Sequence, residues 1–232
     1  EPNYTYKAIG QKEYDAYDAM ISGANDPMYD QLWGLKNTGD NEPAGNRGNS
    51  SRSGKAGADV NAEAAWSLSH GNKNIKIAVI DTGIDYNHPD LVDNMWTNTA
   101  EANGQPGVDD DGNGYIDDIH GYDFANNDGD PMDGNGHGTH CAGTIAGVHN
   151  NIGVAGVMKD ATMVGIKFLT DQGSGSTADA IKAIDYATKI GVDIMSNSWG
   201  GGGFSQALLE SIERANAAGI VFTAAAGNSS TD

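Results

Sequence analysis

An aspartate, a histidine and an asparagine stand in that chain order, each at a junction between apolar and glycine-rich sequence. Asp81 sits in Val79-Ile80-Asp81-Thr82-Gly83, at the end of an apolar run. His137 opens HGTHCAG, where the glycines let backbone and substrate approach closely. Asn228 ends Ala224-Ala225-Ala226-Gly227-Asn228. Serine-type acyl transfer needs a nucleophile, a base to take its proton, a carboxylate to orient the base, and donors for the oxyanion. Asp81 suits the orienting carboxylate, His137 the base and Asn228 the oxyanion donor. No serine of the chain stands in a setting that fits the fourth role.

Taken singly, these residues are ordinary. Asp81 is then a strand terminus and Asn228 a loop asparagine; the chemistry lies in their company. His137 and His140 are spaced i,i+3 with Gly and Thr between them, whereas a zinc-binding helix needs i,i+4 with a glutamate. The spacing speaks against zinc, and His140 reads as a buried, hydrogen-bonded histidine. Cys141 reads as a small packed side chain.

The elements that must position these groups follow from periodicity. Residues 75–80, 163–168, 192–195 and 220–224 read as buried strands. Ile181, Ile184, Ala187 and Ile190 recur at helical spacing, and Gly191 stops that helix. Phe204, Leu208, Ile212 and Ala215 form a second stripe, with Ser205 as its N-cap. Residues 60–68 read as a further short helix. Strands alternating with helices imply βαβ units, a mostly parallel sheet and an α/β fold. Such sheets bind ligands at the carboxyl ends of their strands. Asp81, Ser198 and Asn228 all follow strand runs, so they share that edge. The last strand would be a bare parallel edge, which parallel sheets avoid. The sheet therefore reads as unfinished, its remainder carried by another segment. Residues 1–25, polar and tyrosine-rich, read as an N-terminal extension or propeptide remnant. Residues 39–58, rich in Gly, Asn and Ser, read as a loop.

The net charge is −19, with 13 basic residues among 232. Nucleic acid and anionic membranes are repelled by such a surface and are excluded as partners. No apolar run is long enough to span a membrane. One cysteine permits no internal disulfide. Many acids fall in short loops beside Gly and Asn, a pattern that suits hard cations.

VIDTGIDYNHPDL around Asp81, GNGHGTHCAG around His137, SNSWGGGG over 196–203 and VFTAAAGN ending at Asn228 together resemble the subtilisin-type serine proteases. Cys141, four residues after the histidine, resembles the thermitase and proteinase K branches. The likeness runs from about Asp26 onward. It implies a three-layer subtilisin-like fold and identifies 26–232 as the N-terminal portion of a catalytic domain. It also implies a serine endopeptidase working through an acyl-enzyme. In that family the nucleophilic serine lies in a G-T-S-x-A setting well beyond the oxyanion asparagine. Ser198 resembles the family's substrate-binding serine, and Ser229 and Ser230 sit in a polar loop. The chain alone is thus expected to be inactive, with the serine supplied by a C-terminal fragment of the same protease. A calcium-binding, peptide-binding fragment or decoy is the rival reading.

The resemblance also implies a groove. Gly173-Ser174-Gly175 and Ser198-Trp199-Gly200 would bracket an extended peptide substrate, with backbone bonds supplying affinity. Trp199 would wall the pocket for the fourth substrate residue. Three calcium clusters are expected. The first takes Asp26, Asp90, the Asn150 side chain and the carbonyls of Val148, Ile152 and Val154. The second takes Asp123, Asp128, Asp130 and Met132. The third is DDDGNGYIDD, with Asp109, Asp111, Asn113, Tyr115, Asp117 and Asp118 at or near the alternate positions of an EF-hand loop. Its twelfth position is His120, where an EF-hand needs a bidentate glutamate, so a loop calcium site is expected instead. One to three calcium sites fit a secreted enzyme bathed in millimolar calcium.

Overall fold

A computed structural model describes residues 24–40 and 54–229. The extension expected at 1–25 lies almost wholly outside the described residues, as do 41–53 of the glycine-rich loop. The described residues form two compact units: 24–40 and 54–70 with 149–153, and 71–148 with 154–229.

The first unit is built on aromatic packing. A short helix α1, Ala62–Trp66, buries Trp66. Its ring lies 5.9 Å from that of Tyr29 and 4.7 Å from His149, the latter edge-on. The helix is shorter than the 60–68 expected, because Asn61 enters it with φ 52° and Val60 is exposed.

The second unit is a five-stranded, wholly parallel sheet in the order β2-β3-β1-β4-β5. Its strands are β1 (Gly71–Asp81), β2 (Gly121–Asp123), β3 (Asp160–Lys167), β4 (Ile194–Asn197) and β5 (Val221–Ala224). Neighbouring residues of a strand point to opposite faces. Ala78 and Ile80 accordingly join one core with Val164, Ile166, Ile184 and Met195, while Ile77 and Val79 join another with Leu91, Ala142, Ala146 and Met163. Helix α3 (His137–Ala146) covers the second face; α4 (Thr177–Lys189) and α5 (Gln206–Ala217) cover the first. Burial on both faces of β1 and β3 explains why they read as continuous apolar runs, whereas β5, expected to be buried, is largely exposed among the described residues.

Local chemistry sets the helix ends. Ser176 accepts the Asp179 amide at 3.1 Å and Ser205 the Leu208 amide at 3.3 Å, capping α4 and α5. Past α4, Gly191 takes φ 66°, a left-handed turn that glycine adopts without strain. Among the described residues β5 pairs only with β4, and Val221 is 56 % exposed. The short helix α2 (Thr99–Asn103) and strand β2 had no counterpart in the periodicity.

Candidate active site

Asp81 ends β1, the central strand, and is 1 % exposed. His137 is the first residue of α3. Its Nδ1 lies 2.7 Å from Asp81 Oδ1, which also accepts the Thr82 amide at 2.7 Å. The close approach depends on Gly138. A Cβ there would stand 2.1 Å from the Gly83 carbonyl oxygen and 3.1 Å from the Asp81 Cβ. With Nδ1 turned to a carboxylate, the neutral imidazole is held as the Nδ1–H tautomer, which leaves Nε2 able to accept a proton. The imidazole remains half exposed while its partner is buried.

Asp133 fastens both sides of this pair. Its Oδ1 accepts from Thr82 Oγ1 and from the Asn135 and Gly136 amides, each at 2.9 Å. Its Oδ2 accepts the Thr139 amide at 2.9 Å and the Thr139 hydroxyl at 2.7 Å. Burial alone would raise this carboxyl, but the hydrogen bonds from Thr139, Gly136 and Asn135 outweigh it and hold it below its ordinary value. Because Gly136, the residue before α3, carries no capping side chain, Asp133 caps the helix from a distance.

Cys141 Sγ lies 4.0 Å from His137 Nδ1. Burial pushes its thiol up, against the Ser198 hydroxyl and with help from the Asp81 and Asp133 charges. It is therefore a protonated, packed neighbour and a poor nucleophile. His140 is exposed, contrary to the buried role expected of it. It falls on the outer side of α3, away from the faces of Ala142 and Ala146.

A cavity of about 640 Å³ opens beside His137. Gly173, Ser174, Gly175, Ser198, Trp199 and Gly200 all line it, although they come from the loop after β3 and the loop after β4. Trp199 meets the Phe168 ring edge-on at 4.9 Å while forming part of the wall. Asn228, four residues past β5, is exposed on the same carboxyl edge of the sheet but does not line the cavity.

The acidic loops are also organised. Glu101, which the sequence reading passed over, accepts the Asp110 and Asp111 amides on Oε1 at 2.7 and 3.2 Å, and the Asp117 amide on Oε2 at 2.9 Å. One of its carboxylate oxygens and one each from Asp111 and Asp118 lie within 4.8 Å of one another. Burial raises the Asp118 carboxyl, against hydrogen bonds from Tyr186, Asn113 and Asn98 and with the Asp111 charge adding to it. An all-oxygen set of crowded carboxylates fits a hard divalent cation. Of the other loop candidates, Asp109 accepts the Asn113 and Gly114 amides, Asp117 the Gly107 amide, and Asn113 Oδ1 the Tyr115 amide. His120, at the twelfth position, places Nδ1 2.9 Å from the Trp96 carbonyl oxygen.

In the Asp123 to Met132 loop, Asp123 accepts from the Ala125 and Asn126 amides and the Asn126 side chain. Asp128 Oδ1 accepts the Asp130 amide, and Asp130 Oδ1 accepts the Met132 amide and the Tyr86 hydroxyl. The first expected cluster divides between the units. In one, Asp26 Oδ1 accepts the Asn150 and Asn151 amides at 3.0 and 3.1 Å, and Asn150 Oδ1 the Ile152 amide. In the other, Asp90 Oδ2 accepts the Val154 amide and the Asp90 carbonyl the Val148 amide, both at 2.8 Å.

A sequence profile described as the subtilase family matches residues 72–232. The chain is similar to subtilisin-like protease 1 of Plasmodium vivax, 44 % identical over 158 residues that make up 68 % of this chain and 25 % of that protein. It is 35 % identical to thermitase of Thermoactinomyces vulgaris over 170 residues, 73 % of this chain and 52 % of the relative. It is 34 % identical to subtilisin DY of Bacillus licheniformis over 170 residues, 73 % and 53 % of the two chains. The matched stretch thus spans from a quarter to about half of these curated relatives.

Proposed function

The chain belongs to the subtilase family, and on that premise we propose that it is the Asp–His portion of a serine endopeptidase. The single observation that carries the reading is the 2.7 Å contact between Asp81 Oδ1 and His137 Nδ1 beside the cavity. The nucleophilic serine comes from a further C-terminal segment of the same protease, since no serine in residues 1–232 has the nucleophile's setting. Peptides and proteins are the substrates, laid as an added strand between Gly173–Gly175 and Ser198–Gly200.

The roles follow from the proton inventory. His137 Nε2 takes the serine proton as the oxygen attacks the scissile carbonyl carbon, and Asp81 stabilises the imidazolium so formed. Asn228 donates its side-chain N–H to the tetrahedral oxyanion. His137 then returns the proton to the departing amine, leaving an acyl-enzyme. Water repeats the sequence in the second half, with His137 again base and then acid.

Calcium fits as a structural ion held by Glu101, Asp111 and Asp118. Bound there, it would offset the repulsion among three close carboxylates and brace the loop. It takes no part in the proton steps. We place the enzyme outside the cell, where calcium is abundant enough to fill a weak site.

The test is to treat the full-length protein with a fluorophosphonate probe and map the labelled residue by mass spectrometry. Label on one serine beyond residue 232, abolished by His137→Ala, supports the proposal. An unlabelled, folded protein that binds peptides without cleaving them refutes it and favours a decoy.

A further inference from the structure

Lys167 is a cation at the end of the apolar run Met163–Ile166 of β3, and its side chain is 3 % exposed. It is the last residue of β3, in register with Asp81 on one side and Asp123 on the other. A buried ammonium is costly unless its donors are matched by acceptors. Lys167 Nζ gives one hydrogen bond of 2.8 Å to the Thr82 carbonyl and one of 2.7 Å to Asp171 Oδ1.

These bonds close a ring around the site. The Thr82 amide donates to Asp81 Oδ1, and the Thr82 carbonyl accepts from Lys167. Lys167 holds Asp171, whose backbone carbonyl accepts from Asn135 Nδ2 at 2.7 Å. Asn135 Oδ1 accepts the His137 amide at 3.3 Å, and His137 returns to Asp81 through Nδ1. Gly134 makes room for the approach, because a Cβ there would lie 2.4 Å from the Asp171 carboxylate. Asp171 also heads the turn that forms one groove edge. The Thr170 amide donates to the Ser174 carbonyl and the Gly173 amide to the Thr170 carbonyl, both at 2.8 Å.

We propose that Lys167 is a positioning residue whose ammonium ties the turn after Asp81 to the Gly173–Gly175 edge of the groove, so that one buried charge sets both the acid–base pair and the seat of the peptide. The inference rests on the acyl-transfer reading above. It goes further in joining substrate seating to the alignment of Asp81 and His137.

The experiment uses the full-length protein with Lys167→Met, Lys167→Arg and Asp171→Asn. Asp171 is more than half exposed, so its variant keeps the fold even where the buried methionine does not. Two readouts are taken: kinetics on a long peptide and on a small one-residue ester, and the downfield NMR signal of the His137 Nδ1 proton. Lys167→Met lowers kcat on both substrates by about 10²-fold, the cost of a small misplacement of reacting groups. It also shifts or broadens the Nδ1 signal, and Lys167→Arg restores part of both. Asp171→Asn raises KM for the long peptide more than for the ester. Folded Lys167→Met with wild-type kinetics and an unchanged Nδ1 signal overturns the proposal, as does an Asp171→Asn effect equal on both substrates. A protein that never hydrolyses either substrate, yet whose Nδ1 signal responds to Lys167→Met, defeats the protease reading while leaving the positioning role standing.

Discussion

Thr82 and Asp133 are joined by a 2.9 Å hydrogen bond from the threonine hydroxyl to the carboxylate. Through it, the turn that follows the buried acid is tied to the loop that starts the histidine's helix. Thr82 Oγ1 also accepts the Gly138 amide at 2.9 Å, so one side chain bridges both segments.

Asp133→Asn breaks this link, because an amide nitrogen replaces one of two oxygens that together accept five hydrogen bonds. The loss is about 1–3 kcal/mol of stability, read as a lower denaturation midpoint at pH 7. The pH dependence has a definite sign. The folded carboxyl lies below its ordinary value of 3.8, so its contribution is complete above that value and is lost as pH falls through the lowered one. The gap between wild type and variant should therefore close in strong acid. A gap that stays constant from neutral to strongly acid pH contradicts the ionised role of Asp133.

Chelation should destabilise the protein through the Glu101 loop. A cation at about 100-fold its dissociation constant contributes ~2.7 kcal/mol. For a chain of this size that is about 5–10 °C in melting temperature. Glu101→Gln should remove most of the response to chelator, with calorimetry on the full-length protein as the check. An identical chelator response in Glu101→Gln and wild type moves the ion to one of the other acidic clusters.

Trp199 is both packed against Phe168 and part of the cavity wall. Trp199→Ala should lower kcat/KM about 10–100-fold for peptides with a large apolar fourth residue, and much less for those with a small one. A uniform loss across such a peptide series would mean that the ring supports the fold and does not read the substrate.

Much of this was legible in the sequence because burial writes itself as pattern. The run ending at Asp81 is buried on both faces of the sheet, so it reads as a strand, and the acid at its end marks the carboxyl edge. Ser205 and Gly191 announce helix ends by chemistry that needs no tertiary partner. Strand β2 is not legible because three residues carry no period, and it is defined only by its pairing with residues 165–167 of β3. Glu101 was missed because its partners lie nine to sixteen residues away. The signal was present in Asn98-Thr99-Ala100-Glu101, a helix start with an acid at its third position, and Asn98 does cap α2 by accepting the Ala100 amide. Lys167 falls within the run 163–168 that reads as a buried strand. A charge inside such a run is itself the clue that it has buried partners.

Cys141→Ala should leave fluorophosphonate labelling within a few-fold of wild type, since the thiol is held protonated beside His137. Loss of labelling in a folded Cys141→Ala protein would require a direct chemical role for the sulfur.

The most direct measurement is the rate of fluorophosphonate labelling of the full-length protein with and without Asp81→Asn. The asparagine keeps the shape but removes the charge that fixes the His137 tautomer, and the rate should fall by about 10⁴-fold with the fold intact. Labelling by a folded Asp81→Asn protein at the wild-type rate would contradict the account, because Asp81 and His137 would then be neighbours without a shared task.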